Sequence, residues 1–247
     1  MSVVCQTQYF KTCTYFTKAG KRHDCSGNED ALYVGERVVT DNMNRPRTID
    51  ILEGTVLVVA DGLGFHSCSR KASQYVAGQL GIRLRLISHE EDISLILAEV
   101  NRELVVMAQE AGDQRARGCV AAGVVLRGEK VMWFSLGDCS ILRMTRLEAH
   151  FINHGQRAPG RNDRVTQCFG GTLVCEELTP EVGSYTPSDG ESLLIVSDGV
   201  TDILSLEEVA ASGKSHATKR VSYMAQLWKL RGRGDDVAIV YLRPRSS

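Results

Sequence analysis

The apolar residues of this chain fall into runs of two kinds. Short, valine-rich runs end in acids or glycines, and longer stretches repeat every three to four residues. The clearest short run is Thr55-Val56-Leu57-Val58-Val59-Ala60, which stops abruptly at Asp61-Gly62-Leu63-Gly64. Such a run reads as a buried strand, with Asp61 at its end where a rigid element can aim a carboxylate. Gly62 and Gly64 allow a tight turn and a close backbone approach.

Upstream, residues 3–17 mix aromatic and β-branched side chains with partial alternation and read as a strand. Residues 18–28 are polar and loop-like. Residues 31–40 carry Leu32, Val34, Val38 and Val39 and read as a second strand. Residues 41–50, with two asparagines and a proline, read as a solvated excursion.

Beyond residue 66 the period lengthens. Ala72, Val76, Leu80, Leu84 and Ile87 form one apolar helical face, which Ser67 or Ser69 is placed to cap. Ser88-His89-Glu90-Glu91 interrupts it and caps a second helix, whose face includes Leu95, Ala98, Arg102 or Val105, and Ala108. Two consecutive long helices are therefore expected between about 68 and 111.

The period then shortens. Residues 119–126, 130–136 and 140–146 read as neighbouring strands, separated by Arg127-Gly128-Glu129 and by Gly137-Asp138. Residues 150–163, rich in His, Asn, Gly and Arg, read as a mobile surface segment. Residues 165–174 supply another strand around Gly170-Gly171, and Pro187-Ser188-Asp189-Gly190 turns into a strand at 192–196. Residues 203–211 and 216–230 are helical, and 237–242 form a last apolar strand. No internal repeat or compositional break divides residues 1–247, so one domain is expected. The class is α+β, mainly antiparallel sheet covered by helices.

Composition narrows the chemistry. The formal net charge is -1, from 29 basic and 30 acidic residues, without the basic excess that nucleic-acid binding calls for. No apolar stretch approaches the roughly 20 residues of a membrane span. The N-terminus has no signal-peptide core, so a cytoplasmic protein is expected. The 8 cysteines form no Cys-x-x-Cys pair and the 6 histidines no His-x-x-x-His spacing. A metal would have to rest on carboxylates, which favours Mg²⁺ or Mn²⁺ over zinc or copper.

Four acidic stretches border strand-like runs: Asn28-Glu29-Asp30, Asp61-Gly62, Ser197-Asp198-Gly199 and Gly234-Asp235-Asp236. Carboxylates gathered from such separate segments can hold two divalent ions. An oxygen bridging those ions loses its proton readily and can attack phosphorus.

The chain resembles the metal-dependent protein serine/threonine phosphatases of the 2C family, in particular its compact bacterial members. The landmarks occur in family order over nearly the whole chain. They are Asn28-Glu29-Asp30-Ala31, Val59-Ala60-Asp61-Gly62-Leu63-Gly64 with His66 and Ala72-Ser73, Gly118-Cys119, and Leu136-Gly137-Asp138. Gly190 with Leu193 through Ser197-Asp198-Gly199-Val200-Thr201-Asp202 follows, and then Gly234-Asp235-Asp236. The resemblance implies a four-layer α-β-β-α sandwich, a central β-sandwich with a helical pair on each outer face. It implies two Mn²⁺ or Mg²⁺ ions bridged by Asp61, with the Gly62 carbonyl, Glu29, Asp198 and Asp235 completing the shell. Asp30 ligates or supports it, and Asp138 with Asp198 holds a weaker third ion. The implied substrate is phosphoserine or phosphothreonine in a protein, in opposition to a serine/threonine kinase.

This sequence departs from the family pattern in places. The arginine expected four residues before Glu29 is Cys25 here, and Arg22, beyond His23-Asp24-Cys25, is the nearest upstream arginine to hold phosphate, with Lys21 a substitute. Phe65 and Ser69 replace common glycines, and Leu63 stands where many relatives have histidine. Asp236 stands where asparagine is usual. These departures motivate two alternatives: a non-catalytic binding or regulatory module on the same scaffold, and a phosphatase for another phosphoester.

Overall fold

The computed structural model describes residues 9–21, 27–64, 67–112, 118–145, 148–160, 164–172, 174–212, 216–232 and 234–245. Among the described residues thirteen strands, five α-helices and a 3-10 turn (Leu84–Leu86) follow one another. β1 (Phe10–Lys18), β2 (Ala31–Val34), β3 (Arg37–Val39), β4 (Arg47–Asp50) and β5 (Val56–Gly62) precede the helices α1 (Ser67–Arg83) and α2 (Glu91–Glu110). Next come β6 (Gly118–Arg127), β7 (Lys130–Leu136), β8 (Ser140–Met144), β9 (Ala149–Phe151), β10 (Phe169–Gly170), β11 (Glu181–Tyr185) and β12 (Ser192–Val196). The one-turn α3 (Asp198–Thr201), α4 (Leu206–Ala211), α5 (Ala217–Leu230) and β13 (Val237–Pro244) complete the order.

The strands build two antiparallel sheets. One runs β4-β1-β13-β12-β8-β9; the other runs β11-β7-β6-β5-β2-β3, with β10 beside β6. The central strands β5, β6, β12 and β13 are buried on both faces, which explains why their sequences read as continuous apolar runs. Leu57, Val59, Val120 and Ala122 of one sheet share a core with Tyr15, Ile141, Ile195 and Val240 of the other. Val221, Met224 and Trp228 of α5 extend that core beyond the first sheet. Ala31, Val58, Ala60 and Ala121 face outward from the second sheet, toward Val76, Leu80, Leu97 and Leu104 of α1 and α2. The layers are thus helix, sheet, sheet, helix. Each buried Leu or Val contributes roughly 1.5–3 kcal/mol against the entropy of ordering the chain.

Several expectations are corrected. Residues 31–40 form a hairpin, not one strand: Gly35 and Glu36 have φ of 61° and 63°, the left-handed pair that closes a two-residue turn. The stretch 41–50 includes β4, whose strand character comes from pairing with β1 rather than from its own pattern. In α2 Val105 and Ala108 are buried as expected, but the rest of the buried side is Ile93, Leu97, Val100 and Leu104, while Leu95 is exposed. The registers through residues 93 and 95 are both available in sequence, and packing on the sheet selects the first. β9 and β11 are edge strands that the sequence reading lacked, and the strand at 165–174 shrinks to the two residues of β10.

Candidate active site

The acidic stretches meet where corresponding ends of the two sheets converge. Ala31 pairs with Ala60, so Asp30 and Asp61 leave adjacent strand ends of one sheet. Val196 pairs with Ile239, which brings Asp198 and the Asp235–Asp236 pair together at the end of the other. Ser197 joins the two sheets. Its hydroxyl donates to Asp30 Oδ2 (2.8 Å) and accepts from the Ala238 N–H (2.9 Å). Asp236 accepts the backbone N–H groups of Gly20 (2.7 Å) and Glu29 (2.5 Å) on its two oxygens. Asp235 Oδ1 accepts the Asp236 N–H at 2.9 Å.

Close backbone approaches require glycine at positions 20, 62 and 199. A Cβ on Gly62 would lie 2.8 Å from the Ser69 backbone, and one on Gly199 would lie 1.8 Å from the Asp236 carbonyl oxygen. Ser69 does not cap α1; its hydroxyl donates to the carbonyls of Leu63 (2.6 Å) and Gly64 (3.0 Å) and fixes the turn after Asp61. The Ser73 hydroxyl similarly donates to the Glu29 carbonyl at 2.5 Å.

The electrostatics are those of crowded carboxylates. Burial raises Asp61 well above the usual range, and the charges of Asp30, Asp198, Asp138 and Asp235 raise it further. Burial and then Asp236 do the same to Asp30, against the hydrogen bond from Ser197. Asp198 is pushed up to about 7 by burial and by Asp138, Asp235 and Asp202, with a hydrogen bond from Asp61 working the other way. These shifts mean that the pocket retains protons because its negative charges repel and are poorly hydrated. Asp30 Oδ1 is buried without a hydrogen-bond partner. Among the described residues no cationic side chain pairs with Asp30 or Asp61.

Hard oxygen donors, an orphaned carboxylate oxygen and excess negative charge fit a divalent cation such as Mg²⁺ or Mn²⁺. Among the described residues no three acidic, His or Cys side chains close into a preformed metal cage. The fit therefore rests on the charge balance and donor chemistry.

The structure thus brings Asp30, Asp61, Asp138, Asp198 and Asp235 into mutual electrostatic range. The side chain of Glu29 is buried, and its backbone is fixed by Asp236 and Ser73. Arg22, Cys25, Phe65 and His66 lie outside the described residues. Cys139, next to Asp138, is fully buried and its thiol is pushed far up by burial, so it is an inert packing residue.

Sequence reasoning missed Arg157, and with it the ion pair made by the landmark acid Asp202. The Arg157 guanidinium donates to Asp138 Oδ2 (3.0 Å), Asp202 Oδ1 (2.8 Å) and Asp198 Oδ2 (3.3 Å). Burial opposes its charge, but the hydrogen bond to Asp202 and the charges of Asp138, Asp202 and Asp198 more than offset that and hold it protonated. The stretch 150–163, expected to be a mobile surface segment, is anchored within its described part at Asn153, which is buried, and at Gln156. Asn153 donates to Ser135 Oγ (2.9 Å) and the Cys139 carbonyl (2.8 Å) and accepts the Ile141 N–H (2.8 Å). Gln156 Oε1 accepts the Gly137 N–H at 2.8 Å. A run of His, Asn, Gly and Arg carries no local signal that its side chains will satisfy a buried turn.

The family model described as Protein phosphatase 2C matches residues 47–230. No curated protein matches the chain. Among solved structures, a bacterial serine phosphatase is 20% identical with a TM-score of 0.78, covering 95% of this chain and 98% of that one. PppA of Pseudomonas aeruginosa is 20% identical, TM-score 0.78, with coverages of 96% and 99%. The serine/threonine phosphatase Stp1 of Staphylococcus aureus is 18% identical, TM-score 0.78, with coverages of 98% and 98%. At these identities the structural likeness establishes the layered fold.

Proposed function

Because the chain is a protein phosphatase of the 2C family, we propose that its acidic pocket removes phosphate from phosphoserine or phosphothreonine in proteins and depends on two divalent cations, Mn²⁺ or Mg²⁺. The observation that carries this reading is the convergence of Asp30, Asp61, Asp198 and Asp235 from the ends of two sheets, with the carboxyl pKa values of Asp30, Asp61 and Asp198 raised by burial and by their acidic neighbours. A pocket that holds protons for that reason gains by exchanging them for cations. Bound there, the cations supply positive charge for the phosphoryl oxygens and make water more acidic.

The chain's own residues do the positioning. Asp61, within charge range of Asp30 and hydrogen-bonded to Asp198, would hold the cations together with them. Asp198, Glu29, Asp30, Asp235 and the Gly62 carbonyl complete the set. Ser197 aims Asp30, leaving its second oxygen for a cation. Asp236 sets the backbone of Glu29 without itself ligating. Arg22, by its place before Glu29 in sequence, is assigned to the substrate phosphate. The substrate is a phosphoprotein made by an opposing serine/threonine kinase, in the cytoplasm. Among the described residues no helix is long and apolar enough to cross a membrane.

The test is phosphate release from a phosphothreonine peptide by chelator-stripped protein, with and without Mn²⁺. Release that requires Mn²⁺ is expected. Equal traces with and without the ion would defeat the metal-dependent reading. Turnover of a small phosphoester with none of the peptide would shift the substrate class.

A further inference from the structure

Arg157 reaches its partners from a backbone that is already held. Asn153 and Gln156 bind the segment before it to the β7–β8 turn that carries Asp138. The Thr166 N–H donates to the Gln156 carbonyl at 2.8 Å, and Arg157 forms a bridge with Val165, fixing the other side. From this platform the three nitrogens of one guanidinium each meet a different carboxylate, at 3.0, 2.8 and 3.3 Å. Those carboxylates come from two distant segments, the Asp138 turn and α3 with its following residue. A planar, permanently charged fork suits such a triple contact better than a point charge does.

We propose that the Arg157 guanidinium is this chain's resident cation at the Asp138–Asp198–Asp202 position, taking the place there of a third divalent ion. The inference rests on the two-cation reading of the neighbouring Asp30–Asp61 pocket and concerns how many ions the chain holds. A third ion would have to break three charge-assisted hydrogen bonds and displace a tethered group. A short tether gives that group an effective concentration on the order of millimolar, comparable to the free ion level a weak site needs. An ion entering while the guanidinium remained would also meet a like charge within the same cluster. The Asp30–Asp61 side presents no such cationic occupant among the described residues. Charge at the outer corner is then set by the sequence, and only the inner pair responds to ion supply.

The experiment counts ions without measuring activity. Chelator-stripped wild-type protein is titrated with Mn²⁺, and free ion is read by electron paramagnetic resonance. The expected count is about two for wild type and about three for Arg157→Gln, returning to about two in Arg157→Gln with Asp202→Asn. Thermal unfolding confirms that each variant is folded. If Arg157→Gln does not fold, Asp202→Asn alone decides: an unchanged count of about two supports the proposal. A wild-type count of about three that Asp202→Asn reduces overturns it, as does a folded Arg157→Gln with an unchanged count. No uptake by any form overturns the two-cation reading together with this one, whereas three ions in wild type overturn this one alone.

Discussion

Asp236 and Glu29, distant in sequence, are joined by a hydrogen bond of 2.5 Å from the Glu29 N–H to Asp236 Oδ2. The other oxygen accepts the Gly20 N–H at 2.7 Å. Two N–H groups converge on one buried side chain, and only a carboxylate offers an acceptor to both. Asparagine at this position would turn an amide N–H₂ against one of these donors. Removing the charge would relieve repulsion on Asp30, but the loss of one charged acceptor and the donor–donor clash outweigh that. Asp236→Asn is expected to destabilise the metal-free protein by about 1–3 kcal/mol, seen as a lower urea midpoint. An unchanged or higher midpoint would show that the two hydrogen bonds are not what this residue supplies.

Substitution of the cation ligands should separate activity from folding. Asp61→Asn and Asp198→Asn each remove a charge from an overcharged pocket, so neither should unfold the chain. Each should lower Mn²⁺-dependent phosphate release about 100-fold or more. Peptide dephosphorylation and circular dichroism on the same preparations check both halves. Near-wild-type turnover in either variant would remove that residue from the proposed shell.

Acidity of the pocket should appear in the stability of the metal-free protein. Asp198 titrates at about 7 in the folded chain against an ordinary value of 3.8. The folded state therefore binds more protons than the unfolded one between these values. This group's contribution to stability is lost as pH rises through about 7. Asp198→Asn mimics the protonated form. It should melt a few degrees higher than wild type at pH 8, on the order of 2–4 °C, and this advantage should vanish toward pH 4. Melting curves in chelator across that range make the comparison. A variant that melts lower at pH 8 would indicate that the Arg157 contact outweighs repulsion and burial.

Gly81 in α1 tests the seam between helix and sheet. A Cβ there would lie 2.2–2.3 Å from the ring atoms of Tyr33, which is itself buried in the outer core. Helix propensity favours alanine over glycine by about 1 kcal/mol. Forcing apart a buried ring costs about 1–3 kcal/mol or more. Gly81→Ala should be net destabilising, measured by the denaturation midpoint. A stabilised variant would mean that α1 can slide on β2 at little cost.

The extent to which the sequence foretold this molecule depended on where each signal resides. The apolar positions Ala72, Val76, Leu80, Leu84 and Ile87 were legible and are buried as read, but α1 ends at Arg83, so Leu84 lies in a following 3-10 turn and Ile87 in extended backbone after it. The buried side of α2 was legible only in part, because two registers compete until a sheet selects one. β5, β7 and β12 were legible because both faces of their central residues are covered and those residues are mostly apolar. The edge strands β4, β9 and β11 were not, because an edge strand owes its conformation to a partner's hydrogen bonds more than to its own side chains.

Burial periodicity and chain punctuation, which are local properties, determined the α+β class and the acids at the strand ends, while the four-layer order came from the family resemblance of the sequence. Only the tertiary structure decided that Ser197 aims Asp30, that Asp236 holds the backbone of Glu29, and that Arg157 binds three carboxylates. Those contacts join residues far apart along the chain. Their geometry exists only once two sheets have packed and brought unrelated strand ends within hydrogen-bonding distance.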